Sequence, residues 1–144
     1  GSLGRSMRQG SDTLTVTTRR GLTEVTAAVR EAVRATGVRE GLCTVFIRHT
    51  SASLVIQENA DPSVRRDLEA FLSRLVPDGD PIFTHVDEGD DDMPAHVKAA
   101  VLKTSEQIPV RDFDLVLGTW QGLYVWEHRR GQHRRHVAVH VIGE

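Results

Sequence analysis

Apolar and β-branched polar residues alternate through Thr13-Leu-Thr-Val-Thr-Thr18, the pattern of a half-buried strand. Gly21 breaks the pattern, and Thr23 is placed to cap a helix that runs to about Ala35. Val25, Val29 and Val33 recur at four-residue spacing and define that helix's core face, and Gly37 stops it. Residues 42–48 and 53–57 read as two strands flanking the polar stretch His49-Thr-Ser-Ala-Ser53. A second helix opens at Asp61-Pro62, with a capping carboxylate followed by a proline at the first helical position. Its apolar stripe is Val64, Leu68, Phe71, Leu72 and Leu75, and Pro77-Asp-Gly79 ends it. A short strand is expected over Ile82–Val86. Pro94 then starts a third helix that Asp92 caps, with Val97, Val101 and Leu102 facing inward. From Gln107 to Ile142 the chain reads as strands and tight turns. No repeat or low-complexity linker interrupts this order, which predicts one α+β domain over residues 12–144 after a flexible segment, residues 1–11. Gly1–Met7 lacks the apolar centre of a signal peptide and resembles an expression remnant ahead of a native Met.

At 144 residues the chain is long enough to bury a sizeable core. A net charge of −2 with 5% aromatic residues argues against a nucleic-acid binder, which needs a basic surface interleaved with aromatics. No apolar run approaches the roughly 20 residues that cross a bilayer. Cys43 is the single cysteine and lies in an apolar strand, so no intrachain disulfide forms and the cytoplasm is the expected location.

Local charge is more informative than the total. His85-Val-Asp-Glu-Gly-Asp-Asp-Asp-Met-Pro-Ala-His96 places five carboxylates and two histidines within twelve residues, just where a helix begins. Imidazoles and carboxylates bind divalent metals and move protons near neutral pH, and packing needs neither at this density. A solvated acidic loop is the plain alternative. His96 falls in the first helical turn, where exposed N–H groups disfavour imidazolium and favour a neutral, metal-competent ring. The spacing matches no zinc or calcium signature. His49-Thr50-Ser51 and Glu58-Asn59-Ala-Asp61 also sit at element boundaries, where side chains from a rigid scaffold converge. For Asp61 helix capping explains the residue. Gly118 and Gly122 bracket Thr119, Trp120 and Gln121, and glycine so placed marks a bulge or a close approach. Glu127 and Arg129 alternate on one strand face, as a pair or as a base and an anion clamp. The basic run from His128 to His136 reads as a solvated hairpin or a phosphate contact.

Three blocks, His49-Thr-Ser-Ala-Ser-Leu-Val-Ile-Gln-Glu-Asn-Ala-Asp-Pro62, Glu88-Gly-Asp-Asp-Asp-Met-Pro-Ala-His96 and Leu117-Gly-Thr-Trp-Gln-Gly122, resemble in order the signature blocks of the YjbQ-like family. That family is commonly labelled secondary thiamine-phosphate synthase. The resemblance implies an α+β fold of mixed or antiparallel strands in two facing sheets, with about three helices packed outside, and a homotrimer. It implies a pocket lined from all three blocks, at a subunit boundary or within one chain. The family's characteristic positions fall on His49, Thr50, Ser51, Glu58, Asn59, Asp61, His85, Gly89, Asp92, Pro94, His96, Trp120, Gln121 and Glu127. Trp126 stands where the family often has cysteine, so a thiol role is absent here, and Gln57 replaces a usual asparagine.

Two functional expectations result. In the first, a cytosolic enzyme holds a divalent metal, zinc, through His49, His85 and His96, with a weak thiamine-phosphate synthase activity implied by the family label. Glu127, Glu58 and Asp92 would be its catalytic groups. Thr50, Ser51, Asn59, Trp120, Gln121 and Arg129 would hold a small phosphorylated substrate. In the second, the chain is a trimeric binding protein for such a ligand, without turnover.

Overall fold

The structure, a computed structural model, describes residues 6–144. Eight strands form two antiparallel sheets and three helices pack against them. Strands β1 (Arg8–Thr18), β8 (His133–Gly143), β3 (Gly41–Ile47), β5 (Ser105–Arg111) and β6 (Asp114–Leu115) form the larger sheet in that spatial order. The smaller sheet has the order β2 (Gly21–Glu24), β7 (Gln121–Glu127) and β4 (Ala52–Glu58). The hydrogen bond from Leu54 N–H to the Lys103 carbonyl, 2.9 Å, joins β4 to the strand that feeds β5.

Inward residues of both sheets, Val45, Ile47, Leu54, Leu123, Val125, Val137 and Val139 among them, meet in one core. Helix α1 (Thr26–Thr36) contributes Val29 and Val33 to it, the valine face read from the spacing. Gly37 ends this helix in the left-handed conformation, φ 70°, as its position suggested. β7 is buried on both faces: Arg65 and Glu69 of α2 (Pro62–Leu75) reach Tyr124 and Trp126, while α3 (Asp92–Val101) packs beside it on β4. Helix α2 starts as expected: Asp61 accepts the Ser63 N–H at 2.9 Å, and Pro62 opens the helix.

Several expectations are corrected. β1 begins at Arg8, so Arg8–Ser11, expected to be flexible, pair with His140–Gly143; the expectation for residues 1–5 lies outside the described residues. Thr23 caps no helix, because Gly21–Glu24 is a short strand on β7 and α1 starts after Val25. Residues 82–86 leave a turn as irregular chain rather than a strand, with Ile82 and Val86 exposed. Asp92 is the first residue of α3, and Asp91 precedes it as N-cap residue without a side-chain cap bond. α3 buries Pro94, Ala95, Lys98 and Ala99 and leaves Val101 exposed. Of the α2 stripe only Leu72 is buried; Phe71 and Leu75 are 58% and 63% exposed.

Candidate metal centre

The acidic loop folds around the first turn of α3. Asp92 and His96 lie one turn apart and therefore on the same face of the helix. Asp92 Oδ2 is 3.1 Å from His96 Nε2 and 2.7 Å from Nε2 of His85, which arrives from the preceding loop. One carboxylate oxygen thus faces two imidazole nitrogens, and one donor atom from each of the three side chains lies within 4.8 Å of the others. His96 Nδ1 donates to the Thr50 carbonyl at 2.8 Å, which leaves Nε2 as the nitrogen that faces Asp92. Asp92 is buried. Burial alone would raise its carboxyl, but the hydrogen bond from His85 and the charges of His96 and Arg129 outweigh that and hold it below the usual carboxylate range. Two imidazoles and one carboxylate are a donor set that suits zinc or another divalent first-row metal. Donors on a tetrahedral zinc lie about 3.3 Å apart, a modest opening of the present contacts.

Arg129, expected to meet a substrate phosphate, is instead built into this centre. Its Nε lies 3.3 Å from Asp91 Oδ2 and 3.5 Å from Asp92 Oδ1, and its Nη2 donates to the Glu88 carbonyl at 2.8 Å. Gly89 turns the loop with φ 104°, and a Cβ there would lie 2.9 Å from Asp91 Oδ1. Glycine is what lets the loop close on the Asp91–Arg129 pair. Glu88 was not singled out from the sequence. It is exposed, and its backbone carbonyl is the one that accepts from Arg129 Nη2. Its place in an acidic run gave no signal to separate it from four neighbouring carboxylates.

His49 stands outside this group of three. Its Nε2 accepts the His136 N–H at 2.7 Å and its ring stacks on that of His136 at 5.6 Å. The Nε2 lone pair is therefore already engaged. Burial, then the nearby charges of Arg135 and His136, lowers its affinity for a proton. Thr50 is exposed, whereas Ser51 is buried with its carbonyl accepting from Arg135 Nη2.

Glu127, expected as a base, is fully buried between the sheets. Its carboxylate accepts from Arg135 Nε at 2.6 Å and Nη2 at 2.5 Å, from the Thr18 hydroxyl at 2.6 Å and from the Arg129 N–H at 3.1 Å. Burial raises its proton affinity and these donors lower it further, with a net downward shift. Glu58 accepts the N–H groups of Ala60 and Asp61 and shapes the turn into α2. Asn59 donates to the Thr119 and Gln121 carbonyls, and its own N–H bonds the exposed Trp120. Gln121 accepts the Gly118 N–H. Glu58, Asn59, Trp120 and Gln121 therefore gather at the far end of β4 and β7. The seven residues of β4 put that end about 20 Å from Thr50, at roughly 3.3 Å per residue. Trp126, at the family's cysteine position, is buried and donates its indole N–H to Glu69 at 3.1 Å.

The fold and the site together define an α+β protein with an Asp-centred histidine pair at the start of a helix. The family model described as UPF0047 protein YjbQ-like matches residues 12–144, and the chain belongs to that family. A UPF0047 protein of Synechocystis is 50% identical over 140 residues, covering 96% of this chain and 95% of the relative. UPF0047 protein YjbQ of Escherichia coli O157:H7 is 47% identical over 103 residues, 71% of this chain and 74% of the relative. Among solved structures, a YbjQ-like protein of unknown function from Sulfolobus solfataricus superposes with a TM-score of 0.87 at 28% identity, covering 96% of this chain and all of that one. A YjbQ/UPF0047 protein from Clostridium acetobutylicum superposes with a TM-score of 0.81 at 38% identity, covering 90% of this chain and 98% of that one.

Proposed function

We propose that this chain is a cytosolic, metal-dependent enzyme acting at a phosphoryl or diphosphoryl group of a small substrate. The weak thiamine-phosphate synthase reaction implied by the family label is one member of that class. The observation that carries the reading is the meeting of two imidazole Nε2 atoms on one oxygen of the buried Asp92. His85, Asp92 and His96 would hold the metal, with Asp92 a ligand rather than an acid or base. A bound divalent ion would polarise a phosphoryl oxygen or acidify a water. Arg129 and the Thr50 carbonyl fix the directions of Asp92 and His96. Glu88, exposed beside Asp92, takes the role of proton acceptor in place of the buried Glu127. A cavity of about 240 Å³ beside His85, lined by Phe83, Met93 and Pro94, gives a substrate room next to the centre. Thr50, exposed at the edge of the cluster, meets its polar groups.

The homotrimer belongs to the same proposal. What supports it is the apolar surface of α2 and the β7 end, where Phe71, Leu75 and Trp120 are large and exposed. No helix among the described residues is long and apolar enough to cross a membrane.

The test is metal content by elemental mass spectrometry, with zinc affinity by calorimetry, for the parent and its His85→Ala, Asp92→Asn and His96→Ala variants. Pyrophosphate release from a pyrimidine diphosphate and a thiazole phosphate is followed in parallel. About one zinc per chain, lost in all three variants along with turnover, supports the reading. A parent that takes up no divalent metal sinks it. Saturable ligand binding without turnover would favour the trimeric binding protein instead.

A further inference from the structure

A wide cleft lies away from the histidine cluster. It has a volume of about 790 Å³ and opens between β1 and the start of α1, with Asn59 on its third side. Thr17, Glu24, Thr26, Arg30, Arg34 and Asn59 supply its polar lining.

Arg30 and Arg34 stand at i and i+4 on α1, so they share one face and repel each other. Among the described residues only Arg30 of the two has a carboxylate partner: its Nε lies 3.1 Å from Asp114 Oδ1, and no other described residue engages its guanidinium. An anion in the cleft is what relieves such a pair. Ala27 and Ala28, in the first turn of α1, line the same cleft.

The end of the cleft at the start of α1 accepts hydrogen bonds. Glu24 is exposed, and one of its oxygens takes the Thr26 hydroxyl at 2.9 Å. A Cβ on Gly122 would stand 2.8 Å from Glu24 Oε2 and 3.1 Å from Asn59 Cβ, so the lack of a side chain at Gly122 leaves the room these two groups occupy. Asn59 spends its amide N–H groups on the Thr119 and Gln121 carbonyls, leaving its Oδ1 as an acceptor. A cationic end at Arg30 and Arg34 and an acceptor end at Glu24 and Asn59 thus share a space of small-molecule size.

We infer that this cleft is a second ligand site, for a small phosphorylated molecule that also carries an ammonium or hydroxyl group. Its phosphate meets Arg30 and Arg34, and its donor end meets Glu24 and Asn59. It stands apart from the metal-centre reading, because none of its residues belongs to that cluster.

Phosphoethanolamine combines both ends in one probe, with inorganic phosphate and ethanolamine as its halves. Titrated into the ¹⁵N-labelled full chain with a chelator present, it is expected to move the Ala27 and Ala28 amides and the Arg34 Nε–H resonance saturably. Arg30→Gln with Arg34→Gln should weaken it by roughly tenfold to a hundredfold, the span of charge-assisted hydrogen bonds. Glu24→Gln should weaken phosphoethanolamine and leave inorganic phosphate unchanged. Arg34→Gln alone keeps the Arg30–Asp114 pair intact and should still weaken the probe several-fold. No saturable shift at α1, or an affinity unchanged in both arginine variants, overturns the assignment. The chelator keeps the outcome separate from that of the metal test.

Discussion

His96 Nε2 lies 3.1 Å from Asp92 Oδ2, one helical turn earlier on α3. That contact forms only if the Asp92 carboxylate is turned correctly, and Arg129 turns it from the Oδ1 side at 3.5 Å. Asp91 in turn anchors Arg129. Lysine keeps the charge but not the fork that spans both carboxylates. Arg129→Lys should therefore fold normally and lose roughly tenfold to a hundredfold in zinc affinity, the usual cost of a missing outer partner. Competition against a chromophoric chelator measures it. An affinity equal to the parent's would show that Arg129 has no hand in orienting Asp92.

Glu127 and Arg135 tie β7 to β8, and hence the smaller sheet to the larger, through a bidentate pair. Removing one charge leaves the other buried and unpaired, a loss of about 3–5 kcal/mol. Glu127→Gln should show that loss in urea unfolding whether or not metal is bound. The sign with pH follows from the downward shift of the Glu127 carboxyl. Its contribution is complete above its ordinary value of 4.5 and is lost as pH falls through the lower folded-state value. In the variant this part of the acid-limb loss should be missing.

His128 behaves differently. It is fully buried, its Nε2 and the Ser53 hydroxyl are 2.8 Å apart, and its Nδ1 has no partner among the described residues. Burial, reinforced by Lys98, pushes its proton affinity from 6.5 down to about 3. The folded ring stays neutral while the unfolded one takes up a proton, so stability declines as pH drops below 6.5. One pH unit below that value the cost is about 1.4 kcal/mol. His128→Gln should flatten the stability profile between about pH 4 and 6.5, read from chemical denaturation at a series of pH values. A parent profile already flat over that window would mean the ring is protonated in the fold.

Much of this fold was legible because its signals are local. Asp61-Pro62 fixes the start of α2, Gly37 the end of α1, and the valine spacing selects the face that α1 buries. Periodicity says which residues share a face and not what lies opposite. That is why the α2 stripe read as core although Phe71 and Leu75 face outward, and why α3 buries Lys98 rather than Val101. β2 was missed because four residues after a glycine look like a helix entry, and only pairing with β7 makes them a strand. The site shows the same division. Histidine and carboxylate types pointed to the loop in which His85, Asp92 and His96 meet. Direction was not readable: His49 spends its lone pair on a backbone N–H, Glu127 turns into the core, and Arg129 closes on Asp91.

Lys98 is 1% exposed, on the buried face of α3, and its ammonium makes no hydrogen bond within the described residues. Burial lowers its proton affinity, with the Arg20 charge acting in the same direction, while Glu69, Asp78 and Asp91 oppose. Those carboxylates have partners of their own. Asp78 pairs with Arg20, Asp91 with Arg129, and Glu69 accepts from Trp126 and Ser73. Removing the ammonium therefore strands no anion, and the desolvation cost of a buried cation disappears. Methionine matches the length of the lysine stem and fills the same space. Lys98→Met is expected to stabilise the chain by about 1–2 kcal/mol, a rise in Tm of roughly 3–6 °C for a domain of this size. Lys98→Ala, which leaves a void in the same place, should lower Tm and so separates charge from volume. A fall in Tm for the methionine variant, seen by calorimetry at neutral pH, would mean that the ammonium is held by an ordered water.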